Sequence, residues 1–359
     1  MALTCFETAL KNCPTDRSAL RSASIILRSL PASSGEERRA NILRSVDLAK
    51  RALATEGGLA EPASWVVLAN AYLTLLCSSS RWEALTHPQQ LQQQQKSGPG
   101  EGLPGNSFLK SAKSAYQKAL LDREVATKAD VLFNYASVLQ YEEDFGGALR
   151  YLALALKFDA EWRELAVRRR ALASFLADIA QRQATAAAPV KKKTSEKRLR
   201  TLREKLAADE DRLRARYTDD EDLCCGVVRR LGDLQEEGQV NECLLPLRVL
   251  SYDSSTTDAE NGVFLAAVFT VIDAAGASAA LFIYDIAQRR GPRPGDSVVV
   301  VRPVFRRHRI ELEEEGGRKV VEFEAIKVER PLVDIYVNGR RLEVASLSTP
   351  VVNVTLKSD

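Results

Sequence analysis

The sequence has no CxxC pair, and only His87 and His308 stand beside its six cysteines, so a structural zinc site finds no ligand set at usable spacing. It shows no amino-terminal apolar segment of signal-peptide type and no apolar run of membrane-spanning length. That pattern predicts an intracellular, soluble chain with reduced thiols and no membrane partner. Nucleophile-elbow, Walker, HExxH and paired-carboxylate motifs are missing too, and His308 has no nameable partner for acid–base work, so neither an enzyme nor a cofactor is expected. A net charge of +3 over 359 residues is too small for a whole-surface nucleic-acid binder. Local clusters of charge then matter more than the total.

What is present changes character near residue 185. Before it the chain is rich in Ala and Leu; from Leu244 onward Val, Phe and Ile come in short runs broken by Gly, Pro and Asp. Helix giving way to strand predicts a multidomain α + β protein, a helical solenoid followed by an all-β barrel. The expected divisions are a repeat array over 1–183, a basic linker or helix over 184–222, a barrel over 223–342 and a tail over 343–359.

Small and large apolar residues in the first half recur on a 34-residue helix-turn-helix template, that of tetratricopeptide repeats. The clearest copy puts Leu132, Tyr135, Ala136 and Leu139 on a first helix and Ala148, Leu152 and Ala155 on a second. Trp65, Leu68, Ala69 and Tyr72 repeat the first helix, and Ala112, Tyr116 and Ala119 the second. Between them lies a Gln/Gly-rich insert, about 80–106, with a composition that predicts a mobile loop. A degenerate copy uses Leu20, Ala23, Ser24 and Leu27 and then Ser45, Ala49 and Ala52, while Ala2, Phe6, Ala9 and Pro14 match a second helix alone. The chain therefore reads as opening in mid-repeat, with further repeats expected upstream in homologues. A helix over about 163–183, carrying Arg168-Arg169-Arg170, is expected to cap the stack.

First helices of such arrays line the concave side, so polar residues at their inner positions are candidate ligand contacts. Asp130 and Glu164 stand 34 positions apart, one template length, and Arg28, Asn70 and Asn134 fall on inner positions as well. Two carboxylates and an arginine suit a peptide with a basic residue beside an acidic one, and Asn side chains can clasp its backbone. An alternative is an ordinary solvated surface.

After Pro189, Lys191, Lys192, Lys193, Lys197 and Arg198 open the strongest positive stretch, a candidate phosphate contact for ribosomal or other structured RNA. A solvated helix or a nuclear-localisation signal is the alternative. Gly262–Asp273 and Ala279–Tyr284 flank a tight turn and predict a hairpin; Ser297–Val301 and Glu322–Glu329 supply later strands. Five or so strands fit a small Greek-key barrel of OB type, with Phe305, Arg306, Arg307 and Arg309 as a candidate nucleic-acid surface and a protein-docking or purely structural barrel as the alternative.

Several segments together resemble the tetratricopeptide repeat protein 5 family, also called strap or stress-responsive activator. They are Ser24-Ile-Ile-Leu-Arg28, Ser64-Trp-Val-Val-Leu-Ala-Asn70-Ala-Tyr72, Tyr141-Glu-Glu143, Tyr284-Asp-Ile286, Gly295-Asp-Ser-Val298, His308-Arg-Ile310 and Val337-Asn-Gly339. The resemblance implies an adaptor, cytoplasmic and nuclear, that recognises the amino-terminal Met-Arg-Glu segment of nascent tubulin at the ribosome, near ribosomal RNA and proteins at the exit tunnel. It further implies recruitment of mRNA-decay adaptor and deadenylase machinery, so that tubulin mRNA decays. On that implication the peptide's arginine pairs with Asp130 and Glu164, its glutamate with Arg28, and the ribosome contact falls on Lys191 to Arg198. A nuclear cofactor scaffolding transcriptional coactivators is the alternative role.

Overall fold

A computed structural model describes residues 2–86, 104–187, 193–217, 227–234, 240–252, 266–287, 290–314 and 317–347. The first half contains helices α1 (Ala2–Asn12), α2 (Arg17–Ser29), α3 (Gly35–Ala54), α4 (Pro62–Thr86), α5 (Pro104–Ala119), α6 (Ala129–Tyr141), α7 (Phe145–Phe158) and α8 (Arg163–Ala187). Side-chain acceptors start them. Asp16 takes the Ala19 N–H at 3.1 Å, Ser34 that of Glu37 at 3.1 Å and Asp144 that of Gly147 at 2.8 Å, each satisfying a first-turn donor the helix leaves unpaired.

Packing follows the template. Leu20, Ala23 and Leu27 of α2 meet Leu48 and Ala52 of α3 in one cluster, and Leu3, Phe6 and Leu10 of α1 pack against it. Burying each such leucine contributes about 1.5–3 kcal/mol. Ser24 and Ser45, both fully buried, let α2 and α3 approach until their hydroxyls bond at 3.0 Å, with Ser24 Oγ also donating to the Ser45 carbonyl at 2.9 Å. The α3–α4 turn needs Gly58, because a Cβ there would stand 2.4 Å from the Ala52 carbonyl oxygen. Glu61, just ahead of α4, ties back to α2 by accepting from Arg21 and from Arg17 at 3.3 Å, and also accepts from Ser64 of α4 at 2.9 Å. Burial works against its charge, but these donors hold its carboxyl below the usual range.

The insert is narrower than its composition implied. Helix α4 runs to Thr86 and α5 begins at Pro104, so the ends of the 80–106 stretch are helical. Its Gln-rich middle lies outside the described residues.

Two compact units divide the chain, with the helices up to Arg169 in the first and Arg170 onward, including the strands, in the second. The later turns of α8 belong with the second unit, where Gln183 bonds to the sheet. Its amide donates to the Ser278 carbonyl at 2.6 Å, its own carbonyl accepts from Ser278 Oγ at 3.1 Å, and its Oε1 accepts from the Glu324 N–H at 2.9 Å. The helix expected to cap the stack is therefore shared in sequence between the units.

The second unit also holds α9 (Lys193–Tyr217) and strands β1 (Leu244–Tyr252), β2 (Ala266–Ile272), β3 (Ser278–Tyr284), β4 (Ser297–Val301), β5 (Val304–Glu314), β6 (Gly317–Val328), β7 (Ile335–Val337) and β8 (Arg340–Arg341). Their order is β5-β6-β3-β2-β1-β4-β7-β8. β1, β2 and β3 form an antiparallel meander, and β3 then pairs in parallel with β6. β4 and β5 are separated only by Arg302 and Pro303, yet β4 pairs with β1 and β5 with β6. The chain bends at Arg302, which adopts a φ of 52°. That bend carries the chain from β4, beside β1, to β5, at the other edge of the strand order beside β6, the connection by which a sheet of OB type curls into a barrel. Leu245, Leu247, Phe269, Leu281, Ile283, Val298, Phe305 and Ile326 fill it. The sequence reading left β1 and β5 unassigned; β1 carries Pro246, which lies ahead of the stretch paired with β2 and so removes no bond from that ladder.

Candidate peptide-binding seam

On α6, Asp130, Asn134, Ser137 and Tyr141 follow the i, i+4, i+7, i+11 spacing that puts side chains on one helix face, and Asn70, Thr74 and Cys77 do the same on α4. These faces meet at Tyr116 of α5. The Tyr116 hydroxyl donates to Asn70 Oδ1, and Asn134 Nδ2 donates to the same oxygen at 3.4 Å. Asn70 and Asn134 are each 1% exposed. Both amides are buried against Tyr116, where they hold the helices in register beside the charged groups.

Arg28 of α2 faces this network and remains partly exposed as a residue. Its Nε and Nη1 are nonetheless sealed from solvent and, among the described residues, have no hydrogen-bond partner. Burial pushes its pKa down to about 10, a shift only partly opposed by Tyr116. Burial holds the Tyr116 hydroxyl far above the usual phenol range; Arg28 counters this and Asp130 adds to it. Cation and carboxylate thus share one tyrosine. Asp130 is half-buried at the start of α6, and Glu164 is exposed at the start of α8. The exposed Glu164 carboxylate accepts the indole N–H of Trp162, whose ring lies 5.4 Å from Phe133, the neighbour of Asn134.

Two residues of the seam carried no functional signal in the sequence. Tyr116 was legible only as a packing residue, and Arg168 only as one of three arginines on a capping helix. Instead Arg168 turns inward: its guanidinium sits 4.8 Å from the Phe133 ring centroid and donates to Gln140 Oε1 at 2.8 Å and Ser137 Oγ at 3.3 Å. Burial pushes its pKa down to about 10 as well, with Cys77 and Tyr141 opposing.

The barrel surface differs from expectation. Phe305 is 1% exposed and belongs to the barrel core, so it offers no face for a stacked base. Arg307 and Arg309 are exposed but paired across the β5–β6 hairpin with Glu324 at 3.1 Å and Glu322 at 3.3 Å, while Arg306 is half-buried. Strand alternation and an acid-rich partner strand therefore turn the supposed basic groove into cross-strand ion pairs. Within the same unit, α9 is anchored by its acidic half: Arg248 reaches Asp209 at 3.0 Å, and Arg230 reaches the buried Glu210 at 3.0 Å. Lys197, Arg200, Arg203 and Lys205 of α9 are exposed, and Lys193 and Arg198 lie on that helix. Lys191 and Lys192 lie outside the described residues. Among those described, no group of His, Cys, Asp and Glu is arranged to hold a metal ion, and no helix is long and apolar enough to cross a membrane.

A helical repeat array with a charged seam on its first helices, followed by an OB barrel, defines an adaptor of the tetratricopeptide-repeat class, a protein-interaction protein. Residues 230–351 match the family described as Tetratricopeptide repeat protein 5 OB fold domain. Over 358 residues, 98% of this chain and 71% of the relative, the sequence is 28% identical to Tetratricopeptide repeat protein 5 of Mus musculus. It is 29% identical to the Bos taurus protein of that name over 94% of this chain and 68% of the relative, and 28% identical to the Homo sapiens protein over the same shares. Nearly the whole chain is thus similar to tetratricopeptide repeat protein 5, a repeat and barrel protein rather than a member of a known enzyme family, and its barrel matches that family's OB fold domain.

Proposed function

We propose that the seam recognises the amino-terminal Met-Arg-Glu segment of nascent tubulin at the ribosome and that the protein thereby promotes decay of tubulin mRNA. The observation that carries this reading is Arg28: a guanidinium with two solvent-sealed, unpartnered N–H groups, in a seam that also holds Asp130. A ligand carboxylate satisfies the guanidinium, and a ligand cation satisfies Asp130, with Glu164 available farther along. Met-Arg-Glu carries those two charges on adjacent residues. The exposed basic turns of α9 supply the docking charge for ribosomal RNA, and decay machinery is the partner recruited once the peptide is read. The activity is cytoplasmic, because that is where the peptide emerges.

Removing one member of a desolvated charge pair costs about 2–5 kcal/mol of binding. Crosslinking of the full chain to ribosomes translating tubulin is therefore expected to be lost in Arg28→Ala and in Asp130→Ala. Retention in both variants overturns the proposal.

A further inference from the structure

The amide of Gln140 is spent on one side only. Its Oε1 accepts from Arg168, while its Nε2 is sealed from solvent and has no hydrogen-bond partner among the described residues. Gln140 itself is 4% exposed. Arg168, beside it, is bonded to neutral acceptors and an aromatic face, and no described carboxylate lies within ion-pair distance of it. A desolvated guanidinium next to a buried, unpartnered amide N–H is a donor-only arrangement. It is incomplete as it stands, because both groups lose hydration and neither gains an anion.

Arg168 and Arg28 are separate stations of one seam. Tyr116, which Arg28 faces, is also coupled to Cys77, and Arg168 faces Cys77 and Tyr141 in turn, the Tyr141 hydroxyl standing 3.9 Å from Cys77 Sγ. Tyr116 thus lies within electrostatic reach of Arg28 and Cys77, and Cys77 within reach of Arg168. The chemistry that completes Arg168 and Gln140 Nε2 together is a carboxylate, whose two oxygens accept from both.

We propose that Arg168 and Gln140 form a second acidic-residue subsite of the array, so that the bound peptide presents two carboxylates, one to Arg28 and one to the Arg168–Gln140 pair. This rests on the seam being a peptide groove, but not on the peptide being tubulin's.

Fluorescence anisotropy with the full chain tests it. One panel of labelled peptides begins Met-Arg-Glu and carries a single Glu, or Gln in its place, at each later position in turn. A second panel carries the same Glu scan behind Met-Ala-Ala. At one position of the scan, Glu is expected to bind at least about tenfold more tightly than Gln, the worth of a charge-assisted hydrogen bond. That preference disappears in Arg168→Gln and is reduced in Arg168→Lys, which keeps the charge but not the planar fork. Gln140→Glu supplies an internal carboxylate to Arg168, so it abolishes the preference while leaving the chain folded, as its thermal melt reports. The subsite is overturned if neither panel shows a position where Glu outbinds Gln, or if the preference survives Arg168→Gln. An Arg168-dependent preference in the Met-Ala-Ala panel, with no gain from Met-Arg-Glu, upholds the subsite and removes the tubulin reading alone.

Discussion

Asn70 Oδ1 accepts two hydrogen bonds at once, from the Tyr116 hydroxyl and from Asn134 Nδ2 at 3.4 Å, so one amide oxygen joins α4, α5 and α6. All three residues are buried. Tyr116→Phe removes the stronger donor and changes little else, and is expected to lower stability by about 1–2 kcal/mol, read by urea denaturation. Because Tyr116 also faces Arg28, the same variant weakens peptide binding beyond what its stability loss explains. Unchanged binding in a folded Tyr116→Phe protein removes the positioning role.

Arg28 is expected to trade stability for recognition. Its folded pKa of about 10 lies below the ordinary guanidinium value, so at neutral pH the folded state holds a proton it disfavours relative to the unfolded chain. Arg28→Met, apolar and similar in length, should stabilise the array by about 1–4 kcal/mol in the absence of peptide while abolishing peptide binding. In the difference between wild type and variant, the penalty is complete below pH 10 and shrinks as the pH rises from about 10 toward the ordinary guanidinium range. Equal stability of the two proteins at pH 7 contradicts the burial argument.

The anchoring of α9 has an asymmetry that mutagenesis can read. Glu210 is buried with 1% of its side chain exposed, whereas 43% of the Arg230 side chain reaches solvent. Arg230→Ala strands a buried carboxylate and is expected to destabilise the second unit by about 3 kcal/mol. Glu210→Gln leaves a guanidinium that can turn to water, and costs less. Hydrogen exchange across Lys193–Tyr217, measured for both variants, should show faster exchange in Arg230→Ala.

Phe305 separates a barrel core from a nucleic-acid face. Phe305→Ala is expected to destabilise by about 3–5 kcal/mol through the cavity it leaves. A folded variant with normal stability and impaired binding to single-stranded RNA would restore the surface role that its burial denies.

Much of the fold follows from the amino-acid order alone. The 34-residue spacing of small and large apolar residues is a local pattern, and it identifies the helix pairs because Ser24 and Ser45, or Ala136 and Ala148, fit only where helices come close. The same spacing puts Asp130 and Asn134 on one face of α6, and Asn134 meets Asn70 of α4, since helical periodicity is a property of the chain itself. The β2–β3 hairpin and β4 are legible for the same reason.

What tertiary structure decided is which polar groups are completed and which are left wanting. Whether Asn70 meets a peptide or Tyr116, whether Phe305 stacks on a base or fills a core, and whether Arg168 caps a stack or enters it depends on partners 31 to 46 positions away or on strands paired through a bend at Arg302. Burial sets the worth of a charge or an amide, and burial is a property of the packed assembly, not of any segment. Sequence spacing gave Arg28 its place on the first-helix face; only packing left Arg28 and Gln140 with donors and, among the described residues, nothing to receive them.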